Sequence, residues 1–452
     1  MSVHNKLTTI YAARSIDGRF GISDGSLPWT CPQDLDLFAK ITKHTNSRFR
    51  NTIFMGTTTF SEVGDLPGRH VIQVSKQIKT PELLWMENGG IGYSDQVFIA
   101  GGKTLFSSVF ESGFRPDCII LSTIERECPH ADIFLRDSDL HLDQYVLFSF
   151  KQFDGFHVHV YVKNTDHPKI PSGVLEFVPH HDQMYANLVR NILDNGERVQ
   201  DRTGNGTVRV FAPPPIKFDL KVVFPIITTK RVFWRGVCEE LWWFLRGSTD
   251  SKELERVGVH IWSGNTSRDF LDQRGLEDYE PGQTGPIYGH QWRHWGGDQL
   301  QNLVDGIQRD PFSRRHLLSA WNVGDLDKMV LPPCHCFAQF SVTQSQRLDC
   351  HVYMRSCDVA LGLPFNIASY GVLLHIIAVK TKLKPGTMTF SFGDAHVYID
   401  HIEKLTEQID RFSKPAVVLK RVDDVSFDAY TNECIETSPY FHHTAVKMKM
   451  AI

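Results

Sequence analysis

Short runs of β-branched and apolar residues, separated by helical patterns, fill the first third of the chain. LTTIYAA (7–13), NTIFMG (51–56), HVIQVS (70–75), QVFIAGG (96–102) and DCIILSTI (117–124) read as strands. YVLFSF (145–150) and the stretch 156–163 predict an antiparallel, hairpin-like finish. DLDLFAKITKHT (34–45) and KTLFSSVFESG (103–113) carry apolar residues at helical spacing. Strands alternating with helices predict an α/β domain. NTDHPKIPSG (164–173) is dense in breakers and polar residues. It divides the chain into a domain at 1–164, a short linker at 165–173 and a second domain at 174–452.

The second domain has a different rhythm. It opens on a helix at 181–195, stopped by Gly196, and long helices recur at 236–247 and 366–381. Strands are predicted at 316–322, 337–343, 348–355 and 387–392, an α+β layout around a large sheet. The longest apolar run, 365–379, is broken by Asn, Ser and His. It is too short and too polar for a bilayer span and reads as a buried helix.

Composition narrows the partners. The 452 residues are 41% hydrophobic and 22% charged, with a net charge of −4 spread over both halves. No basic stripe points to nucleic acid or a membrane surface as an obligate partner. Nine cysteines form no even framework, and the N-terminal MSVHNKLTTIYAARS lacks the basic stretch and apolar core of a secretory leader. Reduced thiols in the cytoplasm are expected.

The strongest chemical signal is LPPCHC (331–336), followed by RSCDVALGLPFN (355–366). A lone cysteine is commonly a small buried hydrophobe. Cys334 comes with Arg202, Arg314, Arg315 and Arg355, and cations lower a thiol's pKa while arginine fits phosphate bidentately. The combination points to a thiolate nucleophile beside a phosphate-bearing substrate. Cys334, His335 and Cys336 are spaced too closely for a metal site, so no metal is expected.

DRTGNGT (201–207), EELWWFLRG (239–247), GPIYGHQWR (285–293), SRRHLLSAWNV (313–323), LPPCHC, RSCDVALGLPFN and GDAHVY (393–398) occur in order. Together they resemble thymidylate synthase, from about residue 174 to 452. The resemblance implies that Cys334 attacks C6 of uracil and that Glu240 organises water and proton transfers. It implies a dUMP phosphate cradle of Arg202, Arg314, Arg315, Arg355 and Ser356, the Arg314–Arg315 pair crossing over from the other subunit of a homodimer. Asn366 would read the base, since an amide matches the O4 and N3–H of uracil. His396 and Tyr398 would bind the sugar 3′-hydroxyl, and Tyr288 and His335 would stand beside the cysteine. Trp262, Asp358 and Ile452 would meet 5,10-methylenetetrahydrofolate. Met354 replaces the usual glutamine and Ser263 the usual aspartate.

The first domain carries DGRFGISDGSLPWTCPQDLDLF (17–38), FMGTTTF (54–60), LPGRHVIQVSK (66–76) and IAGGKTLF (99–106). The set resembles dihydrofolate reductase over residues 5–163 and implies a central, mostly parallel sheet. Asp34 would be the acid that serves protonation of the pterin, its pKa raised by apolar surroundings. Phe38, Val63, Arg69 and Ser122 would contact folate, with Arg69 on the glutamate tail. Ala13, Ile22, Gly101 and Gly102 would contact NADPH, and Ser75 and Lys76 its 2′-phosphate. Thr57 stands where the family usually has Lys or Arg, and Phe60 where it has Trp. The two resemblances together imply one chain that makes dTMP from dUMP and then reduces the dihydrofolate released.

Overall fold

The computed structural model describes residues 6–74, 94, 96–165, 167–200 and 204–450. The chain forms two compact units, residues 1–180 with 414–416, and 181–413 with 417–452.

The first unit is built on the strands β1 (Thr8–Ser15), β3 (Thr52–Gly56), β4 (His70–Val74), β5 (Val97–Ala100), β6 (Cys118–Ile124), β8 (Tyr145–Phe153) and β9 (Phe156–Lys163). A short pair, β2 (Arg19–Gly21) and β7 (Ile133–Phe134), stands apart. The seven-stranded order is β4-β3-β5-β1-β6-β9-β8. The first five strands run parallel, and β9 and β8 close the sheet antiparallel. The strand and helix pattern expected for this half is therefore the one observed. Helices cover both faces, so central strands are buried on both sides and read as unbroken apolar runs. Leu37 and Ile41 of the Pro32–Lys43 helix pack on one face, and Leu105, Phe106 and Val109 of the Lys103–Glu111 helix on the other. Residues 172–180 stay with this unit. Gly173 of the Ser172–Phe177 helix lies so close to the Pro32–Lys43 helix that a Cβ would sit 2.7 Å from the Ile41 carbonyl. Val174 and Val178 enter the core there.

The second unit contains β10 (Glu197–Val199), β11 (Thr207–Phe211), β12 (Ile216–Asp219), β13 (Leu317–Ser319), β14 (His335–Val342), β15 (Arg347–Asp358) and β16 (Lys384–Tyr398). The sheet order is β10-β11-β16-β15-β14-β13, with β12 also on β16. Only β15 and β16 pair in parallel. The expected strand at 316–322 shortens to three residues, because pairing with β14 covers only Leu317–Ser319. From Cys336 onward β14 alternates, with Ala338, Phe340 and Val342 inward and Phe337 outward, after a register shift between His335 and Phe337. The apolar run forms a helix over Gly362–Lys380. At 19 residues it is long and apolar enough to cross a membrane by length and composition, unlike the shorter run read from sequence. It is nevertheless the core helix of this unit, with Ile367, Leu373, Leu374 and Ile377 fully buried.

Two candidate active sites

In the first unit, Pro32 starts a helix without needing its missing N–H, and Asp34 falls in the first turn facing inward. Asp34 is 5% exposed. Tyr11 of β1 donates from its hydroxyl to Asp34 Oδ1 at 3.3 Å and lies 3.4 Å from Ser122 Oγ of β6. Strand register holds this arrangement, since Ala13 pairs with Ser122 and Tyr11 with Ile120. Burial raises the pKa of the Asp34 carboxyl, and the hydroxyls of Ser122 and Tyr11 partly pull it back. One turn on, Phe38 packs edge-on to Tyr11 with ring centroids 5.0 Å apart. Arg69 is buried and donates to Thr42 Oγ1 at 2.9 Å, with its guanidinium 5.9 Å from the Phe38 ring centre. Its Nε has no hydrogen-bond partner among the described residues. A buried, unfilled guanidinium donor is a seat for a carboxylate. Val63 is exposed at the end of the Thr57–Val63 helix.

The nucleotide side follows from backbone geometry. Gly101 and Gly102 have φ of +87° and +70° and lead into the Lys103–Glu111 helix. A Cβ on Gly101 would sit 2.3 Å from Thr59 Cγ2, so only glycine fits. This bare turn at a helix N-terminus suits a diphosphate. Ala13 is half-buried at the open end of β1, and Ile22 is half-buried in the turn after β2. Thr57 Oγ1 donates to the carbonyl of Val74, the last residue of β4. Ser75 and Lys76 lie outside the described residues.

In the second unit, Cys334 precedes β14 and is partly exposed. Its N–H donates to Tyr288 Oη at 2.8 Å, and its carbonyl accepts from the N–H of Arg355 at 2.9 Å. The Arg355 guanidinium donates to the carbonyls of Pro333 and Pro332 at 2.8 and 2.7 Å, directly before the thiol. Behind it, Tyr288 stacks on His335 at 4.0 Å, and His335 Nδ1 is 2.9 Å from Tyr370 Oη. Burial pushes the His335 pKa down to about 3, so the ring stays neutral. Met354, paired with His335 across the sheet, is fully buried.

The parallel register of β15 and β16 assembles the rest. Ser356 pairs with Asp394 and Asp358 with His396. The Asp358 carboxylate accepts from the N–H groups of Ala360 and Leu361 at 2.9 and 3.1 Å, fixing the turn into the Gly362–Lys380 helix. Asn366 sits in the second turn of that helix, half-buried, and its side-chain amide has no hydrogen bond to a described residue. His396 Nδ1 is 2.9 Å from Asp394 Oδ1, and Arg209 donates to the other Asp394 oxygen at 2.9 Å. Asp394 therefore fixes the ring that the sequence singled out, and it was not foreseen. Its signal was the Asp-x-His spacing on one strand. Tyr398 follows two residues on. Glu240, on the Trp234–Leu245 helix, accepts from Trp262 Nε1 at 2.8 Å. Burial pushes its pKa up to about 7, against the weaker opposing pull of that indole.

Arg314 and Arg315 stand apart from this cluster. Both are exposed at the start of β13, and neither guanidinium bonds to a described residue. Arg202 and Ile452 lie outside the described residues.

Each unit carries its own chemistry: a buried carboxyl beside a glycine-turned nucleotide cradle in one, a positioned thiol at converging strand ends in the other. Fold and sites define two enzymes on one chain, a reductase unit followed by a synthase unit. The dihydrofolate reductase family pattern matches residues 7–155 and the thymidylate synthase pattern residues 183–452. A bifunctional dihydrofolate reductase-thymidylate synthase of Zea mays is 36% identical, over 95% of this chain and 94% of the maize protein. A second such enzyme, from Arabidopsis thaliana, is 36% identical over 95% of this chain and 93% of its own. A thymidylate synthase of Equine herpesvirus 2 is 48% identical over 61% of this chain and 100% of its own. The chain belongs to the bifunctional dihydrofolate reductase–thymidylate synthase family. It methylates dUMP reductively to dTMP with 5,10-methylenetetrahydrofolate and reduces the resulting dihydrofolate with NADPH.

Proposed function

We propose the following division of labour within these two activities. The observation that carries it is the convergence of Cys334, Arg355, Ser356, Asp358, Asn366 and His396 on the adjoining ends of three strands and one helix. The Cys334 thiolate adds to C6 of dUMP, and the C5–C6 π pair moves to form an enolate. C5 then attacks the one-carbon unit as its bond to a folate nitrogen opens. Loss of the C5 proton, expulsion of tetrahydrofolate, hydride return from it to the new carbon and departure of the Cys334 thiolate leave dTMP and dihydrofolate. Asn366 holds the base edge with its unengaged amide, and His396, braced by Asp394, takes the sugar hydroxyl with Tyr398. Glu240, protonable near neutrality, organises proton movement between base and folate. Trp262, Asp358 and Ile452 receive the folate.

In the reductase unit, Asp34 serves the pterin proton, and Arg69 pairs its unfilled Nε with the glutamate tail. Phe38, Val63 and Ser122 line the folate groove. Gly101 and Gly102 would hold the NADPH diphosphate, Ala13 and Ile22 the nicotinamide, and Ser75 and Lys76 the 2′-phosphate. NADPH supplies the hydride when bound. We assign the reductase to residues 1–164, the linker to 165–173 and the synthase to 174–452. Nine thiols without a disulfide fit a reducing compartment, the cytoplasm.

Arg202, Arg355 and Ser356 take the dUMP phosphate from within the subunit. Arg314 and Arg315 complete the cradle of a second subunit in an isologous homodimer. Support comes from their exposure beside outward apolar side chains, Leu317 at 48% and Phe337 at 39%. Mixing Arg315→Ala chains with Cys334→Ser chains tests this. One hybrid site would be intact, so synthase activity should reappear. No recovery, with a monomeric mass in solution, would refute the shared site.

A further inference from the structure

We propose that Tyr11 is a positioning residue of the reductase site, whose phenol ties Asp34 to Ser122 and thereby sets the pH at which the carboxyl holds its proton. The inference rests on the assignment of Asp34 as the reductase acid.

The geometry is specific. Tyr11 lies on β1 in an otherwise apolar stretch, and 5% of it is exposed. Its ring is pinned edge-on by Phe38 at 5.0 Å. Its hydroxyl reaches Asp34 Oδ1 at 3.3 Å and Ser122 Oγ, on the neighbouring strand, at 3.4 Å. Tyr11 takes Oδ1, and the Ser122 hydroxyl also acts on the carboxyl. The phenol is itself a proton donor here, because burial and then the Asp34 charge raise its own pKa well above the ordinary value. A phenol that stays protonated donates to the ionised carboxylate and favours that form. It opposes the desolvation that raises the pKa of Asp34.

The groups facing this floor are few. The Pro32–Lys43 helix presents Asp34, with the Cys31 thiol at its N-cap. β1 presents Tyr11, and β6 presents the non-titrating Ser122. Arg69, from the start of β4, lies over Phe38. Of these, Tyr11 and Ser122 act on the carboxyl as hydrogen-bonding hydroxyls, and Cys31 acts on the phenol.

The test is the pH profile of kcat/KM for dihydrofolate in the full chain, for the parent, Tyr11→Phe, Ser122→Ala and Asp34→Asn. Synthase turnover of each variant reports an intact chain. Tyr11→Phe keeps the ring on Phe38 and removes only the donor. With the donor gone the carboxyl keeps its proton to higher pH, so the alkaline limb should move up by about one pH unit, roughly tenfold in the protonation equilibrium. Ser122→Ala should move it in the same direction. A Tyr11→Phe profile that superimposes on the parent, while Asp34→Asn loses reductase activity, overturns the role of Tyr11. An Asp34→Asn chain that reduces dihydrofolate normally at every pH removes the acid assignment instead, and the Tyr11 proposal with it.

Discussion

Two carboxyls, one in each unit, are lifted toward neutrality by burial, but they are held differently. Asp34 sits in a helix's first turn and has two hydroxyls, from Ser122 and Tyr11, pulling its pKa back down. Glu240 sits mid-helix with one indole N–H as its opposing partner, and its pKa reaches about 7. Burial raises both, and the donors that oppose it differ in number and kind. A second difference lies beside them. In the proposed mechanism the synthase carboxyl serves a site with a covalent nucleophile, whereas the reductase carboxyl serves one without. The proton is the protein's main contribution there.

Cys334→Ser should break the comparison most sharply. Removing a covalent nucleophile costs on the order of 10⁴ or more in kcat. dTMP formation should fall by that much while dihydrofolate reduction continues at the parent rate. Parallel assays of the two half-reactions on one preparation decide it, and appreciable dTMP turnover would sink the nucleophile assignment. Asp34→Asn is the mirror experiment and should be milder. General acid–base groups are worth about 10²–10⁴-fold. Reductase activity should drop within that range at neutral pH with synthase activity intact.

Glu240→Gln sharpens the comparison through stability. The folded carboxyl holds its proton to about pH 7, against an ordinary value of 4.5. Below the ordinary value both folded and unfolded chains are protonated, and the group is neutral to stability. As pH rises, the unfolded chain releases the proton first. Stability is therefore lost until the folded group also ionises, by about 3 kcal/mol in full. Glutamine keeps the acceptor for Trp262 and carries no charge. The variant should thus gain denaturant resistance over the parent at pH 8 and lose that advantage at pH 4. A constant difference between the two would show that the raised pKa is not what burdens the fold.

The sequence made some of this legible and hid the rest, for physical reasons. Parallel strands buried on both faces leave continuous apolar runs, so β3, β5 and β6 were readable within a few residues. Cys334, Asn366 and Asp34 were singled out by the motifs around them; the structure sets Cys334 before β14, Asn366 on the Gly362–Lys380 helix and Asp34 buried in a first helical turn. Tyr11 was hidden, since an aromatic residue in an apolar strand reads as core. Asp394 was passed over, although its i, i+2 spacing to His396 puts both side chains on one face of a strand. The open Nε of Arg69 depends on where Thr42 lies, a tertiary fact. The end of the first unit at His180 was similarly invisible, because it follows from Gly173 seating a short helix against Ile41.

The smallest expected effect concerns the nucleotide rather than either carboxyl. Thr57 is exposed at the start of a helix, and its hydroxyl donates to the Val74 carbonyl at 3.3 Å. Position 57 therefore stands beside the end of β4, and Ser75 and Lys76 follow next in sequence. The basic residue usual at this position would add a charge-assisted contact to the 2′-phosphate, typically about 1.5–3 kcal/mol. Solvent exposure cuts that figure, leaving about tenfold in selectivity. Thr57→Arg should raise the NADPH-over-NADH ratio of kcat/KM by that factor. The gain should come from NADPH alone, because NADH has no 2′-phosphate for the guanidinium to meet. It should also shrink as salt is added, as an exposed ion pair does. Lys76→Ala should lower the ratio in the parent. An equal gain for both cofactors would mean that position 57 acts through the fold of the helix, and the 2′-phosphate would then have to be met elsewhere.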